Sequence, residues 1–223
     1  MNIEILIILF FIYSFLGWLM EVILTIFKGK KFINRGFLIG PYCPIYGWGC
    51  ILIILLLEKQ SGDILSVFLK AILICSLLEY FTSYFMEKMF NARWWDYSDK
   101  KFNINGRICL ETMIPFGLGA LLIFYVLNPL FINLFSYANE IVLIVIASIL
   151  TIGFIIDNVI SFNITFKIKT SLIAIAEDST EEINKRIKEL LNSSKLIRRI
   201  KLAFPKFQAK IKYIEDKIRT IKL

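Results

Sequence analysis

Five apolar runs leave this chain few ways to fold. They cover about residues 3–27, 41–57, 64–85, 108–131 and 141–166. A bilayer core of ~30 Å takes roughly 20 apolar residues per helix. Within hydrocarbon, only helices and closed barrels satisfy their own backbone hydrogen bonds. The runs are continuously apolar and do not alternate, so the expected fold is all-α: a polytopic membrane bundle of five transmembrane helices. At 57% hydrophobic residues the chain is too apolar for an ordinary soluble domain. The first run opens MNIEILIILF, with an acid where a secretory signal carries bases, and reads as a retained membrane helix.

The loops predict orientation. Lys28, Lys30, Lys31 and Arg35 fall in the first, and Lys88, Arg93, Lys100, Lys101 and Arg107 in the third. The second holds Lys59 alone, and the fourth has no cation. Short loops rich in lysine and arginine stay cytoplasmic, which predicts N-terminus outside and C-terminus inside. Residues 1–166 form the expected bundle, and 167–223 a cytoplasmic basic helical tail. From Lys167 onward there are 15 Lys/Arg against 7 Asp/Glu, which accounts for the whole net charge of +8. Isoleucines and leucines at helical spacing there fit a basic amphipathic helix on anionic lipid, or equally a coiled-coil or solvated helix. No aromatic platform accompanies the charge, so nucleic acid is not an expected partner.

Two stretches look alike. FLGWLMEVILTIFKGKKFINRG starts at Phe15, and YFTSYFMEKMFNARWWDYSDKKFNINGR at Tyr80. Each carries Met-Glu, then KKF-x-IN or its near copy, then Arg and Gly. This predicts two parallel copies of a helical hairpin, residues 1–57 and 64–131, with a fifth helix at 141–166. Parallel repeats of this kind occur in transporters, with binding sites between the copies.

The embedded charges point the same way. Glu21, Glu79, Glu87, Glu111 and Asp157 all fall in the expected cytoplasmic half, where Arg35, Arg93 and Arg107 also enter. Lys70 is the one charge expected toward the outer side. Charges at membrane depth are costly, so they should face the interior and pair, Glu21 with Arg35 and Glu87 with Arg107. The functional reading is a cytoplasm-facing polar cavity that binds a charged or polar ligand; the structural one is salt bridges that hold helix register. RWWDYS (93–98) reads as an interfacial aromatic belt or as a lid over that cavity. There is no histidine, which removes Ser-His and Cys-His catalysis. The four cysteines form no CxxC pair, and no P-loop motif occurs, so neither a cofactor nor ATP hydrolysis by this chain is expected.

GWLME, NRGFLIGPYCPIYGWG, RWWDYS and NINGRICLE, in that order, resemble the family of putative ABC-transporter type IV permeases, the CmpB-like bacterial membrane proteins. The likeness covers residues 7–124. Gly17, Trp18, Glu21, Asn34, Arg35, Gly36, Gly40, Pro41, Pro44, Tyr46, Gly47, Arg93, Trp95, Asp96, Tyr97, Asn105, Gly106 and Arg107 match its patterned positions. Glu111 and Pro115 depart from it. The resemblance implies a permease in the bacterial cytoplasmic membrane that borrows a separate ATPase subunit, and a bundle this small implies a homo-oligomer or further subunits. The expected binding residues are thus Glu21, Asn34, Arg35, Glu79, Glu87, Arg93, Trp95, Asp96, Asn105, Arg107, Glu111 and Asp157. Two alternatives stand beside transport. One is a membrane enzyme acting on lipid or isoprenoid headgroups through carboxylates such as Glu87 and Asp96, with Mg²⁺ as a fitting metal. The other is a scaffold or assembly factor working through its tail.

Overall fold

A computed structural model describes residues 1–27, 32, 34–57, 63–90 and 93–177, with side chains to Lys167 and at Thr170. Its elements are α1 (Ile3–Phe27), α2 (Pro44–Leu57), α3 (Ile64–Phe90), a hairpin of β1 (Asn103–Ile104) and β2 (Ile108–Cys109), α4 (Leu110–Leu122), a π-turn (Ile123–Leu127), α5 (Asn128–Ser136) and α6 (Glu140–Glu177). The α4, π and α5 segments form one continuous rod. Among the described residues, four helices are thereby long and apolar enough to cross a membrane: Ile3–Phe27, Ile64–Phe90, Leu110–Ser136 and Glu140–Lys167. The basic tail beyond residue 177, Lys28, Lys30, Lys31, Ile33 and Lys59 lie outside the described residues, and with them much of the KKF-x-IN comparison.

The second run departs most from expectation. Its helix begins at Pro44, not at residue 41, and has 14 residues, about 21 Å of rise. Pro44 takes the first helical position, where a missing N–H costs nothing. Pro41 is the centre of a tight turn instead, with Tyr42 N donating to Gly40 O at 2.9 Å. Although short, α2 is the centre of the bundle, with Ile51, Ile53, Ile54 and Leu57 all buried. Leu9, Phe10 and Tyr13 of α1 cover one of its faces, while Val67 and Ala71 of α3 and Ala120 of α4 cover another. Its remaining face, with Trp48, Leu55 and Leu56, is exposed.

Small residues let α1 and α2 touch. A Cβ on Gly17 would run into the Tyr46 ring, and one on Gly47 into Ser14 Oγ and the Phe10 carbonyl. With no hydrophobic drive between helices in lipid, such close approach is what holds them together. On α6, by contrast, Ile149, Ile152 and Ile156 are exposed, as expected of surface meant for lipid.

Other boundaries shift for physical reasons. α3 runs to Phe90, past the apolar limit at 85, because Glu87 finds cations from the following loop. α6 continues to Glu177, past Lys167, since polarity marks the membrane surface and not the end of a helix. Ile108 and Cys109 pair with Ile104 and Asn103 as an antiparallel hairpin, a small exception to all-α. Asn105 (φ 53°) and Gly106 (φ 66°) take the left-handed region, with Arg107 N bonded to Ile104 O at 3.0 Å. That is a type I′ turn, for which Asn-Gly is the strongest sequence signal. The side opposite these loops is not free of buried acids, as expected from Lys70 alone: Glu4, in the first turn of α1, is 8% exposed.

The α1–α2 seam yields a stability prediction. Gly47→Ala should cost about 1–3 kcal/mol through overpacking, read as a lower Tm in detergent. Gly119→Ala, whose Cβ meets nothing within 4 Å, should leave Tm unchanged or raise it.

Candidate functional site

The charged groups collect at one end of the bundle, where α1 and α3 finish and α2 and α4 begin. In the first loop Asn34 shapes the chain. Its Oδ1 accepts from Trp18 Nε1 at 2.8 Å and from Gly36 N at 3.0 Å, and its Nδ2 donates to Ile39 O at 3.1 Å. Arg35 stands beside it, 3.6 Å from Glu21 Oε2, while Tyr46 Oη donates to Glu21 Oε1 at 2.7 Å.

Asp157, from the distant α6, anchors the same loop. Its carboxylate accepts from Ile39 N (2.9 Å), Gly40 N (2.7 Å), Tyr42 Oη (2.6 Å) and Ser161 Oγ (2.8 Å). Four protein donors fill it, so it works as a clasp between loop and helix.

The second loop is organised around Glu87. Arg93 Nε lies 3.0 Å from both its oxygens, and Arg107 Nη1 lies 2.6 Å from Oε2. Arg107 also covers the rings of Tyr80 and Tyr84 at 5.6 and 5.4 Å. Arg93 reaches the Asn105 carbonyl at 3.2 Å and Asp96 at 3.7 Å. Asn105 Nδ2 donates to Tyr80 Oη, and Trp95 Nε1 to the Arg107 carbonyl. Trp94 is buried against Phe37 and Phe90. Trp94 therefore packs into the protein, while Trp95 is half-buried. Gly106 is required here, since a Cβ would strike Ser98 Oγ and Asp96 Oδ1.

The two loops meet over the interior. Tyr97 Oη donates to Glu79 Oε1 at 3.1 Å, and Glu21 is near enough for its charge to act on both Glu79 and Tyr97. Burial first, then the Glu79 charge, hold the Tyr97 phenol far above its ordinary range, so it keeps its proton and donates. Glu79 and Ser83 are 5% and 4% exposed, while Glu21 and Arg35 above them stay partly open. Glu111 stands apart. It pairs with Lys100 at 2.8 Å on the surface, 65% exposed, beside a 420 Å³ cleft with Phe102 and Ile114. The structure thus brings Glu21, Arg35 and Glu79 together, sets Glu87, Arg93, Asp96, Asn105 and Arg107 beside them, and leaves Glu111 outside.

Sequence reasoning passed over the hydroxyls. Tyr42, Tyr46 and Tyr97 each donate to a carboxylate, and the signal was present: buried tyrosines beside glycine- and proline-rich segments need a polar partner. Among the described residues, no three His, Cys, Asp or Glu side chains converge as a metal centre would require.

Comparison with known proteins adds one finding. A family model described as putative ABC-transporter type IV matches residues 8–162. The match reaches well beyond the resemblance at 7–124 and takes in Asp157. Neither a curated protein nor a solved structure matches.

Two outcomes follow for the loops. Asp157→Ala strands two backbone donors and two hydroxyls, and should cost about 3 kcal/mol, read as a lower Tm and faster proteolysis within residues 35–43. Lys100→Ala should change neither. Glu87→Gln weakens its hold on Arg93 and Arg107, and in a variant keeping only Cys109, which is 1% exposed, thiol labelling by a water-soluble maleimide should accelerate several-fold.

Proposed function

The chain belongs to the putative ABC-transporter type IV family, and from that premise we propose that it is the permease-like membrane component of an ABC-type transport system. The observation that carries this reading is the single polar interior shared by both loops. Glu21 from α1 and Glu79 from α3, each bonded by a tyrosine from another element, lie at the end of the bundle where Arg35, Arg93 and Arg107 gather. The clusters packed around α2 are apolar.

The loop cations support a cytoplasmic position for this end, and the membrane of this reading is a bacterial inner one. The two Met-Glu hairpins act as repeats, with Glu21–Arg35 and Glu87–Arg107 as corresponding pairs. The ligand enters when the loops swing apart, since the polar groups rest packed against each other. A separate ATPase subunit supplies the energy, because the sequence has no P-loop. A second copy completes the pathway, and the basic tail rests on anionic lipid at ~1 kcal/mol per surface cation. A headgroup-cleaving enzyme draws less support, as Glu87 and Asp96 are both engaged by Arg93.

Purification from native membranes tests this. An ATPase subunit should accompany the chain, and Glu21→Gln or Arg35→Ala should abolish transport-linked ATP hydrolysis while insertion stays normal. A chain that purifies without any ATPase, or full activity in both variants, overturns the reading.

A further inference from the structure

The buried stripe of α3 carries Val67, Ala71, Ser76, Glu79, Ser83 and Phe90. Two of its polar atoms lack a protein partner. Glu79 Oε1 receives the Tyr97 hydroxyl, but Oε2 is buried with no hydrogen bond, and so is Ser76 Oγ three residues earlier. Both residues are 5% exposed. Residues three apart in a helix share a face, so the two unfilled oxygens belong to one place. Buried hydroxyls in helices usually turn back to their own carbonyls. Thr25 does so to Glu21 O, Thr151 to Ala147 O and Thr165 to Ser161 O. Ser76 does not.

Charge is also out of balance there. Glu87 takes Arg93 and Arg107, and Arg35 stands beside Glu21. Among the described residues Glu79 forms no ion pair, although the Glu21 carboxylate acts on it. A buried ionised carboxylate without a partner costs several kcal/mol. One positive charge from outside the protein would remove that cost and fill both oxygens.

We propose that Glu79 Oε2 and Ser76 Oγ form a binding site for a single monovalent positive charge, a proton or an alkali-metal cation. The donor set is hard oxygen with one uncompensated charge, which suits a monovalent ion; a divalent one takes more carboxylates. The groups acting on the site are Glu21 from α1, Cys75 from α3 itself and Tyr97 from the second loop, with Arg35 and Tyr46 of α2 held on Glu21. On the far side, Ile53, Leu57, Val67, Ala71 and Ala120 close the core. That leaves the loop end as the side from which the charge enters and leaves, so the site is not part of a relay across the membrane. This property of the fold does not depend on the transport reading.

Infrared difference spectroscopy on the full chain in nanodiscs tests it. The pH is varied in choline chloride, then NaCl is added at fixed pH. If the charge is a proton, a protonated-carboxyl band titrates in choline, is indifferent to Na⁺, and disappears in Glu79→Gln. If it is an alkali cation, NaCl raises Tm where choline does not, and Glu79→Gln loses that rise. Ser76→Ala, which keeps the carboxylate, should move the midpoint by about one pH unit or weaken Na⁺ about tenfold. It keeps the test decisive should Glu79→Gln fail to fold. Absence of both a titrating carboxyl and a cation-dependent Tm in the wild type overturns the proposal, as does a response unchanged in Ser76→Ala. None of these readouts involves an ATPase or a transported substrate, so failure here and failure of the transport reading are distinct.

Discussion

The backbone entering α2 cannot satisfy itself. Pro41 and Pro44 remove two donors, the turn at Gly40–Tyr42 uses a third, and the N–H groups of Ile39 and Gly40 are left to find acceptors at membrane depth. Asp157 accepts both. Because that carboxylate sits on α6, the last helix is tied to the first loop. The loop in turn delivers Cys43 N to the Ser14 carbonyl and starts α2 against α1. From that start Tyr46 lies over Gly17 and reaches Glu21. The central helix is positioned by an interaction outside it.

The arginines are shared unequally, and this shapes the site. Glu87 has two, Glu21 has one at a looser distance, and Glu79 has only a phenol. Glu87 is thereby neutralised and serves to hold the second loop down. Glu79, the deepest of the three, keeps an unfilled oxygen. In a region of low dielectric an unfilled acceptor is costly, so such an atom is where a ligand gains most from binding. The chain concentrates its structural pairing near the surface and its unmet demand further inside.

Much of the architecture was legible in the residues. Apolar length marked the spans, because bilayer thickness imposes it, and the cost of embedded charge foretold that Glu21 and Arg35, or Glu87 and Arg107, come together. The short α2 was harder. Its 41–57 run is apolar enough to cross, but prolines decide where a helix starts, and a buried helix need not match the bilayer. The Asn105-Gly106 turn was readable locally but hidden by the surrounding membrane pattern. The partners of Asp157 were not legible, since nothing in its own helix reveals donors that arrive from more than a hundred residues away.

The sequence by itself determined that this is a multi-span helical chain of one family, with its polar chemistry gathered where the basic loops lie. Length, hydropathy and charge suffice for the spans and the polar end, as each acts through local contact with lipid or water, and the ordered motifs carry the family. Only the tertiary structure decided which carboxylate is a clasp, which holds a loop and which is left with an open oxygen. Those roles depend on which donors come within 3 Å, and that is set by close approach at Gly17 and Gly47 and by loops folding back between helices.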